Sequence, residues 1–269
     1  MRRTFFNYEL RITNYEFLLN IFISVLASTG CFFEFEPVFA ATTASEYRTL
    51  GLSYRASERY LEAISALKKS VLIEPQNLSG RVMLGWTQHL AGQEGAAASS
   101  LLQALYQDPV LVPALNALGI VYLVSGELTG AVVVHTWAAI LKPENEIAYY
   151  NLSLAFHRLQ LYGLAIATAN KAVALERANP HPLVALAIAH WDSTNVPRGA
   201  SSTHRTAAQQ AYRQALNLDF RYRDRAFLTE LRKAGFSSDD LFSAGSARDG
   251  LDMRGIVSGL AIAYSGKWG

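Results

Sequence analysis

The chain has 269 residues, 51% of them apolar and 17% charged, with a formal net charge of +2. That apolar content is enough to bury a substantial core and excludes a disordered chain, while so slight a charge excess does not imply a polyanion partner, since nucleic acid requires a concentrated basic face, and none is expected. A single cysteine, Cys31, excludes an intramolecular disulfide framework and a Cys-based metal site.

At the start, Arg2 and Arg3 precede an apolar run from Phe17 to Ala27, and Val38-Phe39-Ala40-Ala41 has the small-residue spacing of a signal-peptidase site. Residues 1–40 are therefore expected to be a signal peptide, which places the mature chain in a periplasm or a thylakoid lumen. The alternative is an uncleaved membrane anchor over residues 17–33, because extension through Phe33 brings the run near the ~20 residues that span a bilayer. Glu9 and Glu16 dilute the positive leader, and Glu34, Glu36 and Pro37 lengthen the stretch before the cut. The triplet Asn7-Tyr8-Glu9 returns as Asn14-Tyr15-Glu16, which resembles a translated short DNA repeat of the filamentous cyanobacterial kind. Ser28-Thr29-Gly30-Cys31 is similar to a bacterial lipobox, with Ser28 where a large aliphatic residue belongs.

From residue 44 the chain repeats itself every 34 residues. Tyr47, Leu50, Gly51 and Tyr54 are followed by Ala63, Leu67 and Pro75. One step on stand Leu84 and Gly85, then Ala97, Leu101, Ala104 and Pro109; a second step gives Leu118, Gly119 and Tyr122, then Ala131, Ala138 and Pro143. The third step gives Leu152, Phe156, Ala165 and Ala172, but Ser153 replaces the glycine and the closing proline comes late, at Pro180, so the register is expected to slip there. A fifth unit reads as split: Leu183 to Trp191 is its first helix, Ala207 to Leu218 its second, and Asp192 to Thr203 a surface loop between them. Apolar residues at helical spacing with Ala or Gly at the crossings describe short paired helices, which must stack to bury their faces. Pro75, Pro109 and Pro143 end each second helix, and Gly92, Gly126 and, less favourably, Glu58 fall at the turn inside a unit.

This pattern resembles the tetratricopeptide repeat family, whose signature is a large residue, Leu-Gly and Tyr, then Ala, a bulky residue and Pro. The resemblance implies an all-α fold, a right-handed superhelical solenoid of antiparallel helix pairs, over residues 41–220. Its units are expected at about 44–77, 78–111, 112–145, 146–179 and 181–220, with loop 192–203 inserted in the last. Arg223 to Ala234 then reads as one amphipathic helix, closed by Gly235, in a segment 221–243 that caps the last face of the stack. Ser238-Asp239-Asp240 starts a further turn toward Phe242. The Gly- and Ser-rich tail 244–269 is expected to be mobile or docked on the solenoid; its apolar stretch Ile256 to Tyr264 is too short to cross a membrane.

The resemblance also implies a site, because in this family the first helix of each unit lines a concave groove that holds another protein. Carried over, those positions are Arg48, Leu52 and Arg55, then Val82, Trp86, His89 and Leu90. They continue with Asn116, Ile120 and Leu123, with Tyr150, Leu154, His157 and Arg158, and with Trp191 near the end. The lining is largely apolar and aromatic, which suits a partner peptide or helix, and Leu52 stands where chaperone-binding members place a carboxylate-clamping asparagine. Some of these side chains are alternatively expected to pack on their neighbours or on the chain's own tail.

No catalytic constellation emerges. The histidines at 89, 135, 157, 181, 190 and 204 form no H-E-x-x-H pair, and there is no G-x-S-x-G elbow, Walker loop or dinucleotide fingerprint, so neither an enzyme nor a cofactor or metal is expected. Phe220-Arg221-Tyr222-Arg223-Asp224-Arg225 interleaves aromatic and basic residues but reads as a solvated approach to the cap. The expected function is a non-enzymatic protein-interaction scaffold. The alternatives are a membrane-tethered assembly factor, and a structural protein that self-associates through the groove and Ile256 to Tyr264.

Overall fold

The computed structural model describes residues 43–194, 202–236 and 243–244. Residues 1–40, expected to be a signal peptide or anchor, most of the expected loop at 192–203, the turn at Ser238-Asp239-Asp240 and the tail beyond Ala244 lie outside the described residues. Those described form helix pairs: α1 (Ala44–Ala56) with α2 (Tyr60–Ile73), α3 (Leu78–Leu90) with α4 (Glu94–Gln107), and α5 (Val112–Ser125) with α6 (Leu128–Leu141). They continue as α7 (Glu146–Arg158) with α8 (Tyr162–Leu175) and α9 (Pro180–Ser193) with α10 (Ser202–Leu218). Each helix packs on the next in sequence, and α3, α5, α7 and α9 also touch one another in succession. The result is an all-helical solenoid, with no strand among the described residues.

Small residues set the helix crossings. Ala63, Ala97, Ala131 and Ala165 recur at the 34-residue step and are fully buried. Gly51, Gly85 and Gly119 recur at the same step on the first helices, where a Cβ would stand 2.6 Å from Leu67 Cγ and 2.7 Å from Leu101 Cγ in the first two. In the fourth pair Ser153 takes the glycine's place and the facing residue shrinks from Leu to Ala169, so volume lost on one helix is regained on the other.

The period does not slip after the third unit. First helices begin at 44, 78, 112, 146 and 180, and second helices at 60, 94, 128 and 162. Pro180 is not a late helix breaker: it opens α9, where its missing N–H falls among groups that have no helical partner. The end of α8 at Leu175 is set by stacking of the next pair, and Arg177 occupies the breaker position without extending the helix. In the fifth unit α9 runs on to Ser193 and α10 already begins at Ser202, so the connection is shorter than the expected 192–203.

The turn inside each unit is left-handed at one residue, again at the 34-residue step: Glu58 (φ 57°), Gly92 (73°), Gly126 (82°) and Gln160 (60°). Only glycine adopts this conformation without steric cost. Nothing lies within 4 Å of a Cβ built at Gly92 or Gly126, so the effect of substitution there is one of backbone alone.

The C-terminal segment departs most from expectation. In place of one helix from Arg223 to Ala234 there are a 3-10 turn at Phe220–Arg223, a short α11 (Arg225–Glu230) and a second 3-10 turn at Leu231–Ala234, ended by Gly235 at φ 93°. Asp219 and Asp224 cause the breaks: each carboxylate accepts from the backbone N–H two residues on, of Arg221 and Ala226, and starts a new turn. The segment does not simply cap the last face. Its second 3-10 turn reaches back to α5, and Gly235 lies against Leu123 and Asn151. Ala244, placed by sequence at the start of the tail, is fully buried in the same core.

One core residue breaks the repeat's own rule. His135 stands where the first two units have Leu67 and Leu101, lies on Gly119, and neither ring nitrogen makes a hydrogen bond of good geometry, the Gly119 backbone giving at most a weak one. Burial drives its pKa down to about 3, against an opposing contribution from the Gly119 backbone.

Gly126→Ala is expected to cost about 1 kcal/mol and Gln160→Gly to gain up to about 1 kcal/mol, read by urea denaturation. His135→Leu is expected to stabilise the fold by about 1–3 kcal/mol near neutral pH, by removing unpaired buried nitrogens. The unfolded chain takes up a proton below the ordinary histidine value of 6.5, whereas the folded chain takes it up near 3. As pH drops between those values, wild-type stability should therefore fall by up to about 1.4 kcal/mol per pH unit, and His135→Leu should flatten that slope.

Candidate functional site

The first helices present their exposed side chains to one surface, and the structure divides that surface in two. Toward the N-terminus a groove of about 490 Å³ opens between α3, α5 and the start of α7. Val82, Trp86, Asn116 and Ile120, four of the residues expected from sequence, line it together with Val112, Pro113, Ala117 and Ile147. Lys142, Asn145 and Glu146 form its polar side. His89 is buried beneath it, with Nδ1 2.8 Å from Glu94 and its ring 5.0 Å from that of Trp86, so it braces the tryptophan and is not itself accessible. Leu52, Arg55 and Leu90 are half-buried on α1 and α3.

Arg48 is already committed: Nη1 donates to Ser70 and, at 2.7 Å, to Glu74, so it ties α1 to the end of α2 within the first unit. That hydrogen bond holds the Glu74 carboxyl below the usual carboxylate range. Asn145 precedes α7, where Asn77 and Asn179 at equivalent places cap their helices by accepting N–H bonds. Its side chain does not cap; it exchanges amide hydrogen bonds with Asn116 across the groove floor, at 3.0 and 3.4 Å.

Toward the C-terminus the same surface is filled by the chain itself. Leu123, Tyr150 and Leu154, expected to line the groove, are buried in one core with Leu228, Leu231 and Phe236. Arg158 donates to the Leu123 carbonyl. Tyr150 stacks on His181 at 6.0 Å, and burial pushes its hydroxyl up to about 12. The Tyr222 hydroxyl stands 2.6 Å from His181 Nδ1, while the Tyr212 hydroxyl donates to the Tyr222 carbonyl at 2.8 Å. His157 Nε2 lies 2.8 Å from Asp192, and the Ser243 hydroxyl donates to both oxygens of that carboxylate. This Ser-Asp-His set is a latch: the hydroxyl proton points at the carboxylate, not at a base that could activate the oxygen. Trp191 sits under Arg205, whose guanidinium is 5.9 Å from the ring.

Sequence reasoning missed Pro113, Ile147 and His181, which share one register position, 34 residues apart and three before Asn116, Tyr150 and Val184; that spacing was the signal for them. The partners from the C-terminal segment carried no such signal. In the aromatic-basic stretch Arg221 pairs with Asp219 and lies over Phe227, and Arg223 lies over Phe220. Among the described residues no group of three or more His, Cys, Asp or Glu is placed to hold a metal, and no helix is long and apolar enough to cross a membrane.

Phe236→Ala is expected to cost about 3 kcal/mol and to raise amide exchange in α5 and α7, which the segment covers. Denaturation and exchange mass spectrometry read both, and a surface with no segment packed on it would leave the exchange of those helices unchanged.

The tetratricopeptide repeat sequence profile matches residues 47–77 and 147–179. No curated protein matches the chain. Among solved structures, Pseudomonas aeruginosa PilF is similar at a TM-score of 0.57 with 19% identity, over 83% of this chain and 92% of that one. A thermophilic TPR protein of Thermus thermophilus gives 0.56 with 20% identity, over 72% and 98%. MamA of Desulfovibrio magneticus gives 0.55 with 20% identity, over 67% and 97%. Helices that restart every 34 residues, glycine crossings and the profile match to two of the units show that the described residues form a solenoid of the tetratricopeptide-repeat type; proteins of that repeat family act in general as protein-interaction scaffolds.

Proposed function

We propose that the chain is a non-enzymatic scaffold that holds a peptide or helix of another protein in the open groove between α3 and α5. The observation that carries this reading is the groove itself: a concave apolar surface with Trp86 braced at its edge and a paired-amide floor. Such a surface combines an aromatic anchor with a few fixed polar groups, the pattern of peptide-binding sites. Of the expected groove residues, Val82, Trp86, Asn116 and Ile120 line this open part, and Leu52, Arg55 and Leu90 lie half-buried on α1 and α3. Leu123, Tyr150, Leu154, His157 and Arg158 act in the proposal as the seat of the chain's own segment.

The proposal also places the scaffold outside the cytoplasm, on the strength of Arg2, Arg3, the apolar run from Phe17 and the small residues around Ala40. The test is a pull-down from membrane and soluble extracts with tagged wild type, Trp86→Ala and Tyr150→Ala, each checked for helicity. A partner retained by wild type is expected to be lost with Trp86→Ala, with at least a ~10-fold weaker affinity. Tyr150→Ala is expected to lower stability instead. Equal retention by wild type and Trp86→Ala would remove the groove from consideration. N-terminal sequencing of the mature protein tests export, and an intact residue 1 supports the tethered alternative.

A further inference from the structure

On the side away from the groove, α4 and α6 carry a second surface. On α6 Val133, Trp137 and Ile140 are spaced i, i+4 and i+7 and are exposed at 62%, 44% and 62%, while Ala131, His135 and Ala138 on its inner side are buried. On α4 Leu102 and Tyr106 are similarly spaced, and Tyr106 is 91% exposed. The Trp137 indole N–H donates to the Pro109 carbonyl at 3.3 Å, which joins the α6 stripe to the turn after α4, where Val110 is also exposed.

This face is unusual in what it lacks. Helix α6 has no Asp, Glu, Lys or Arg, and α4 has only Glu94, at its first residue. A helix apolar on all sides is ordinarily enclosed, yet α6 has an uncovered outer side. The six exposed side chains present on the order of 600 Å², at the top of the range for patches on monomers and close to the ~800 Å² that one partner gives a standard interface.

We infer that this face is where two copies of the chain pair. Homodimer interfaces are the most apolar and charge-depleted of protein contacts, and two uncharged faces meet without like-charge repulsion. A lipid surface fits less well, because helices that lie in a membrane interface carry Lys or Arg beside their apolar side, and these two carry none. The pairing leaves Trp86 and Asn116, on α3 and α5, uncovered. A dimer therefore offers two grooves, and a partner with two binding segments gains avidity.

Sedimentation equilibrium and light scattering of the full chain over a range of concentrations test this. Wild type is expected to approach twice its 29.6 kDa mass. Val133→Glu and Ile140→Glu, each on an exposed position, are expected to weaken self-association at least ~10-fold with unchanged helical circular dichroism. Trp86→Ala is expected to keep the dimer while losing the groove partner, so the two readings fail separately. A wild type that stays monomeric, or a dimer that survives both glutamate substitutions, overturns the inference. So does flotation with lipid vesicles that is lost on Val133→Glu, which assigns the face to a membrane.

Discussion

The first three pairs in the stack depend on one close approach, the first helix crossing the second at a glycine with no room for a side chain. At Gly51 and Gly85 the space is taken by Leu67 and Leu101, and any Cβ would collide with them. The rule is one of summed volume, not of glycine as such, because Ser153 is accommodated opposite Ala169. At Gly119 the facing residue is His135, which satisfies the volume but brings two nitrogens into a site built for a methyl-bearing chain. The third pair thus keeps the geometry of its neighbours and gives up part of their stability.

From that geometry comes a continuous row of first helices, and the chain uses the row in two ways. Its C-terminal half is occupied by the segment from Phe220 to Phe236 together with Ala244, seated on Tyr150, Leu154 and His181 and latched through Ser243 and Asp192. Its N-terminal half stays open around Trp86 and Asn116. The division matters for a scaffold, since it limits the accessible groove to a size that fits a short segment rather than a long helix along the whole solenoid.

The period was legible because it is enforced locally: alanines at crossings, glycines at turns and prolines after helices each leave a mark in sequence. Gly92 and Gly126 announced their left-handed turns, whereas Glu58 and Gln160 adopt the same conformation because the helices on either side impose it. Pro180 misled because a proline can end one helix or open the next, and only stacking decides between them. The C-terminal segment was read as a single helix from its apolar spacing, but Asp219 and Asp224 compete for backbone N–H groups at short range and apolar periodicity does not register that competition. Four residues that line the pocket, Val82, Trp86, Asn116 and Ile120, were reached through the resemblance, by carrying the family's groove positions onto the first helices. The burial of Leu123, Tyr150 and Leu154 was not, since it depends on a contact between residues 123 and 235, and no local pattern encodes a separation of that length.

A stack in which each unit touches only its neighbours behaves as a one-dimensional chain, free to fray from either end one repeat at a time. The return of Gly235 onto Leu123 adds a long-range contact across the last three units, a closure that is expected to couple their unfolding and to slow their folding relative to nearest-neighbour pairing. Among the described residues the first two units have no such closure, so the polarity of the chain is expected to become a polarity of cooperativity, with the open groove where the two regimes meet.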